Sequence, residues 1–269
     1  MLISILVLLL AGAFAGFLGG LLGIGGGLLV VAALSLALPV LGVPRSEVMH
    51  VSVATSMATI VLTFLSSALA HIRRASVVWW SWGWLAPGMA IGGVAGAQVA
   101  QLLSAHALRW VIAAFCAFMA WRMTFGRKNA QSDDRAGSIP RSPWLLPAGA
   151  GIGALSAVVG IGGGSMTVPL LLSLGVKPVR AVGTSAVCGL VLAISSAVSY
   201  ALAVHAPPQP LPWGAVGYVY LPATAVAALA SMALAPVGAR MAHALSASAL
   251  KRVFAVFLVV VGAVIAAGG

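Results

Sequence analysis

From Leu2 to Val43 the chain carries no charged side chain, and a second uncharged run extends from Ala181 to Ala239. A helix crosses the hydrocarbon of a bilayer in about 20 mainly apolar residues, so each run exceeds one crossing. Shorter uncharged or nearly uncharged stretches cover Val48 to Ala70, Val77 to Leu108, Trp110 to Trp121, Ser142 to Val176 and Val253 to Gly269. Only 6% of residues are charged, against about 25% in soluble domains. Fourteen Lys and Arg with three acids, Glu47, Asp133 and Asp134, cannot coat a soluble core of 269 residues. The expected fold class is therefore an all-α polytopic membrane protein. The net charge of +11 does not indicate nucleic acid, because the basic residues punctuate apolar runs instead of clustering on one face.

The long runs must be divided. Pro207-Pro208-Gln209-Pro210-Leu211-Pro212 cannot continue a helix, which separates a span near residues 181–204 from another near 214–236. The Trp110 stretch extends to about 105–124 if Arg109 and Arg122 snorkel. Six ordinary spans result. The remaining segments, 2–43 and 142–176, each hold a glycine cluster at their middle. Residues 126–143 are polar and contain two of the three acids, so they read as a cytoplasmic linker between repeats at 1–125 and 144–269. Cys116 and Cys188 lie in apolar runs and read as small buried hydrophobes. Met1-Leu2-Ile3-Ser4 lacks a basic n-region, which argues against a cleaved signal peptide and for a membrane domain starting at residue 1.

The two glycine clusters expose an internal repeat. GFLGGLLGIGGG from Gly16 overlies GALSAVVGIGGG from Gly153 at an offset of 137. Thr55-Ser56 overlies Thr184-Ser185, and Ser66-Ser67-Ala68 overlies Ser195-Ser196-Ala197, at an offset of 129. GAQVAQLLSAHALRW from Gly96 overlies GARMAHALSASALKR from Gly238 at an offset of 142, which places Arg109 on Lys251. One architecture has been duplicated. Lys and Arg collect in cytoplasmic loops, so charge can orient the halves. If each glycine segment crosses once, the halves are parallel and seven basic residues fall on each side. If each is a hairpin returning to its own side, the halves are inverted, with twelve inside and only Arg45 and Arg109 outside. The charge bias favours inverted repeats, each a glycine-broken helical hairpin plus three transmembrane helices.

Contiguous glycines cost about 1 kcal/mol each inside a helix, so Gly23-Ile24-Gly25-Gly26-Gly27 and Gly160-Ile161-Gly162-Gly163-Gly164 should break theirs. Broken backbone at membrane depth is tolerated only inside protein or along a cavity. Paired breaks in corresponding halves are the pattern of a transporter's binding site. The alternative is that these glycines merely allow close helix packing. Free N–H groups at a helix start attract anions, and hydroxyls can donate to an oxyanion. The candidate substrate-binding set is therefore Gly25, Gly26, Gly27, Thr55, Ser56, Gly162, Gly163, Gly164, Ser165, Thr167, Thr184 and Ser185. Membrane Ser and Thr are more often satisfied by their own helix carbonyls; their recurrence in both halves favours a role. No acid lies clearly within a span, which disfavours a coordinated cation or a carboxylate proton relay. His71, beside Arg73 and Arg74, is a candidate gating or proton-linked group or else an interfacial histidine. Trp79, Trp80, Trp82 and Trp84 read as an interfacial anchor. No metal, cofactor or enzyme motif appears in its required context.

The two GIGGG clusters, Val168-Pro169-Leu170-Leu171, the Thr-Ser pairs and Ala70-His71-Ile72-Arg73-Arg74 together resemble the TauE/SafE sulfite exporter family of bacterial membrane permeases. The resemblance covers nearly the whole chain. It implies multi-pass insertion in the cytoplasmic (inner) membrane and transport of small sulfur-containing anions such as sulfite or sulfonates. It adds Pro169 to the site residues. The first half departs from the pattern, with Val31-Ala32-Ala33-Leu34 in place of Val-Pro-x-Leu, so the second half is the better candidate for substrate contact. A permease for another small anion, and a non-transporting scaffold or sensor subunit, are the competing readings; partners would be a small anion, lipid and, as an open option, a second copy in a homodimer.

Overall fold

The computed structural model describes residues 2–22, 26–125, 143–242 and 247–267. Among these residues ten helices run in chain order: α1 (Leu2–Leu22), α2 (Gly27–Ala37), α3 (Val48–Arg73), α4 (Trp79–Leu102), α5 (Ala105–Phe125), α6 (Leu145–Val159), α7 (Gly164–Ser173), α8 (Pro178–Leu202), α9 (Leu221–Ala242) and α10 (Ala247–Ala267). A 3-10 turn at Leu38–Leu41 follows α2. The expected linker, residues 126–143, lies outside the described residues as far as 142.

Helices α3, α4, α5, α8, α9 and α10 cover the segments read as ordinary spans, and helices also end and restart around both glycine clusters, as α1 with α2 and α6 with α7. One boundary differs. The span expected from residue 214 begins at Leu221, because Ala215–Val216 pairs antiparallel with Val219–Tyr220 in a small hairpin. Gly214 and Gly217 hold φ of +92° and +54° there, a backbone that glycine adopts without Cβ strain.

Helices α3 and α8 are 26 and 25 residues long and apolar enough to cross a membrane alone. At 1.5 Å per residue they reach roughly 38 Å, beyond the ~30 Å hydrocarbon layer. The outer helices turn apolar side chains outward: Leu10, Ile91, Trp121, Leu229 and Val256 are all exposed. Such a surface suits lipid, and this is a helical membrane protein.

Each half is completed by the other. Helix α1 packs on α9 and α6 packs on α4, while α3 meets α8 and α5 meets α10. The two crossings are the same crossing built twice. A Cβ at Gly12 or Gly16 would strike the backbone of Ala227 or Ser231; at Gly149 or Gly153 it would strike Leu85 or Met89. These residues correspond through the offsets 137 and 142. Helices α3 and α8, which correspond at offset 129, run antiparallel. Thr184 near the start of α8 bonds Val78 just beyond the end of α3, and Thr55 near the start of α3 bonds Tyr220 beyond the end of α8.

Candidate functional site

The breaks meet at the centre of the molecule. Helix α6 ends at Gly160 with φ +81°, and Gly163 at φ +71° opens α7; Gly26 at φ +66° opens α2 in the same left-handed conformation. Gly23, Ile24 and Gly25, the last a candidate site residue, lie outside the described residues. A Cβ on Gly27 would collide with the Gly160 carbonyl, so the two breaks touch backbone to backbone. The fully buried Ser56 Oγ shares its proton between Gly27 O at 2.9 Å and Gly160 O at 3.1 Å. Ser56 therefore ties the two breaks together.

Both short helices start without a side-chain cap. Leu29 and Val30 donate to Gly26 O, and Met166 and Thr167 donate to Gly163 O. The N–H groups of Gly27, Leu28, Gly164 and Ser165 thus have no intrahelical acceptor, as at any helix start. Their dipoles place partial positive charge at the core. Pro169, inside α7, has no N–H to donate to the Ser165 carbonyl four residues earlier.

The hydroxyls divide into two groups. Thr55 Oγ1 accepts from Tyr220 N at 3.0 Å, and Thr184 Oγ1 accepts from Val78 N at 2.8 Å while donating to Arg180 O. Val78 and Tyr220 correspond at offset 142 and each precedes a helix of the opposite half, α4 or α9. The threonines are latches between halves. Thr167 Oγ1 donates to Gly163 O at 3.0 Å and braces the second break. Thr184→Val leaves the buried Val78 N–H without an acceptor and should cost roughly 1–3 kcal/mol of stability; Thr55→Val should match it. Thermal unfolding of each purified variant in detergent checks this, and a midpoint unchanged in both would count against the latch.

The hydroxyls of the second group have no partner among the described residues. Ser165, Ser185, Ser156 and Ser196 are buried with hydroxyls that form no hydrogen bond. Ser185, Gly189, Leu192 and Ser196 recur at helical spacing along one face of α8. Leu192 and Ser156 both adjoin Gly163, and Leu192 and Ser196 both adjoin Gly93. The face thus runs along the second break. Ser156 and Ser196 were not among the sequence candidates, although Ser195-Ser196 had marked the repeat. Above them the Phe64 ring of α3 covers Gly162 and Gly189 so closely that neither could carry a Cβ without the ring moving.

His71 stands apart. It lies 15 residues beyond Ser56 on α3, roughly 22 Å along the helix axis. Ser76 Oγ donates to His71 O, so His71 Nδ1–H donates to Ser76 Oγ at 2.9 Å, which braces the turn after α3. Two ionisable groups not singled out in the sequence sit at the other end of α3. Glu47 is its buried N-cap residue, and His50 Nε2–H donates to Leu103 O at 2.9 Å with its ring 5.6 Å from that of Tyr218. Burial, and secondarily the Glu47 carboxylate, raise the Tyr218 hydroxyl above its ordinary pKa. Cys116 and Cys188 are buried and free, and among the described residues no cluster of three metal-ligating side chains occurs.

Known proteins resemble this chain along nearly its whole length. A family model described as Sulfite exporter TauE/SafE matches residues 8–265. A probable membrane transporter protein of Haemophilus influenzae is 37% identical over 261 residues, 96% of each chain. The probable membrane transporter protein YunE of Bacillus subtilis is 27% identical over 218 residues, 75% of this chain and 80% of that one. A probable membrane transporter protein of Xylella fastidiosa is 28% identical over 200 residues, 74% of each. No solved structure matches the chain significantly.

Proposed function

Because this chain belongs to the sulfite exporter TauE/SafE family of membrane transporters, we propose that it is a secondary transporter of a small sulfur oxyanion, sulfite or an organic sulfonate. The observation that carries this reading is the pairing of two uncapped helix starts at a buried centre, with unpartnered hydroxyls at Ser165 and Ser185 beside the second. Unsatisfied N–H groups and hydroxyls are donors without a net charge. Such donors complement an oxyanion. The substrate set is Gly26, Gly27, Ser56, Gly162, Gly163, Gly164, Ser165, Pro169 and Ser185, with Thr55, Thr167 and Thr184 holding the frame.

Inverted repeats in the cytoplasmic membrane complete the reading. The antiparallel course of α3 and α8, and the charge asymmetry, support opposite insertion of the halves. Transport then proceeds by rocking one half against the other around the touching breaks. Phe64, seated over Gly162, closes the second break in this state.

The test is uptake of labelled sulfite, and of a panel of sulfonates, by proteoliposomes. A hydrogen bond to a charged group contributes about 1.5–3 kcal/mol, so Ser165→Ala with Ser185→Ala should lower transport at least about tenfold while expression holds. Flux equal to that of empty liposomes for every sulfur anion would reject the substrate class; flux of another small anion alone would reassign it.

A further inference from the structure

We propose that this protein carries a second anion site, remote from the breaks, in which Arg45 and Arg109 grip an oxyanion borne on an apolar stem. Arg45, which is exposed, and Arg109, which is half-buried, both line one cavity of about 390 Å³, walled by Ser35 and Leu36 of α2, Met49 of α3 and Ile265 of α10. No carboxylate lines it. Among the described residues neither arginine has a hydrogen-bond or ion-pair partner, and Arg109 Nε is buried without one. Two like charges on one cavity repel each other until an anion lies between them, and a buried N–H donor needs an acceptor. The neighbouring acid, Glu47, does not line the cavity; its carboxylate accepts from Ser46 and its field falls on Tyr218.

The chemistry of the walls narrows the ligand. Ser35 Oγ spends its proton on Ala32 O at 2.7 Å, which leaves the two guanidiniums as the donors. A guanidinium fork matches two oxygens of a sulfonate or phosphate at once. Leu36, Met49 and Ile265 reward an apolar group attached to that head, so a bare hydrated anion uses only half of the cavity.

Arg45 overlies no basic residue at any of the repeat offsets, whereas Arg109 overlies Lys251. The eight residues by which the first half is longer fall between the glycine cluster and Thr55-Ser56, the interval that holds the 3-10 turn and Arg45. The lengthened interval of the first half thus brings Pro39 and Arg45 against helices of the duplicated core. The cavity's occupant is either a sulfonate solute or the headgroup of an anionic lipid, and the same donors serve both.

Full-length protein in nanodiscs of phosphatidylcholine separates these sources. Calorimetric titration with 1-hexanesulfonate reports the solute, and native mass spectrometry after mixing with phosphatidylglycerol reports the lipid. Saturable binding of at least one probe is expected, weakened about tenfold or more by Arg45→Gln and by Arg109→Gln. Inorganic sulfate should bind at least about tenfold more weakly, since several methylenes are withheld from the apolar wall. Arg45→Lys and Arg109→Lys keep the charge without the fork, should retain part of the affinity, and serve wherever a glutamine variant fails to fold. Saturable binding by neither probe, or binding unmoved by all four variants, would overturn the site. Sulfate binding as tight as hexanesulfonate would overturn the apolar stem.

Discussion

Gly153→Leu is expected to abolish the folded protein, and Gly16→Leu to do the same. Each glycine lies where its helix crosses a helix of the other half, and a Cβ there meets backbone: Met89 for Gly153, Ser231 for Gly16. Backbone on both sides leaves no side chain free to yield. Overpacking by a few methylenes costs about 1–3 kcal/mol where a core can adjust. Here a leucine must lift α6 from α4, or α1 from α9, and forfeit the whole interface. That loss exceeds the 5–15 kcal/mol margin typical of folded proteins. The correspondence of the two crossings makes the expectation sharper, because equal defects should follow from substitutions 137 positions apart. Gly83→Ala and Gly151→Ala face open space and should leave size-exclusion profiles and melting midpoints unchanged. Monodisperse, fully folded Gly153→Leu would refute the interlocked packing.

Those crossings are written in the chain as glycine spacing. Gly12 and Gly16, Gly149 and Gly153, and Gly88, Gly92 and Gly96 all carry the four-residue spacing that lets membrane helices approach closely. The contiguous GIGGG clusters are legible as helix breaks, and both segments do break there. The repeat offsets were legible too, and they correctly pair Thr55 with Thr184. What the hydroxyls do was not legible. A threonine's neighbours in sequence say nothing of Tyr220 or Val78, which reach it from the opposite half. The hairpin before α9 escaped for a related reason. Residues 214–220 are as apolar as a span, and only the left-handed backbone at Gly214 and Gly217 distinguishes them. Charge counting separated Arg45 and Arg109 from the other basic residues, yet that they share a cavity depends on how α2, α3, α5 and α10 pack.

Gly27→Ala should reduce transport to the level of empty liposomes in a protein that still folds. The added methyl falls on the Gly160 carbonyl, so the start of α2 and the end of α6 must separate at the one place where the two breaks touch. Ser56 holds both carbonyls with a single proton, and separation would leave at least one of them buried without a donor. A single methyl asks α2 and α6 to part by far less than a leucine would, so a cost on the order of 3 kcal/mol or somewhat more stays within the margin of about 5–15 kcal/mol, and the melting midpoint should fall without loss of the fold. Transport is more exacting, since displacing a group by about 1 Å can cost a hundredfold in a positioned site. Ser56→Ala supplies the comparison. It removes the shared hydrogen bond without forcing the breaks apart, and should retain partial flux, reduced roughly tenfold. If Gly27→Ala transports as well as the parent protein, the touching breaks are a packing contact and the pivot lies elsewhere. If Gly27→Ala fails while Ser56→Ala keeps part of its activity, the close approach of the two backbones is what the transport cycle requires.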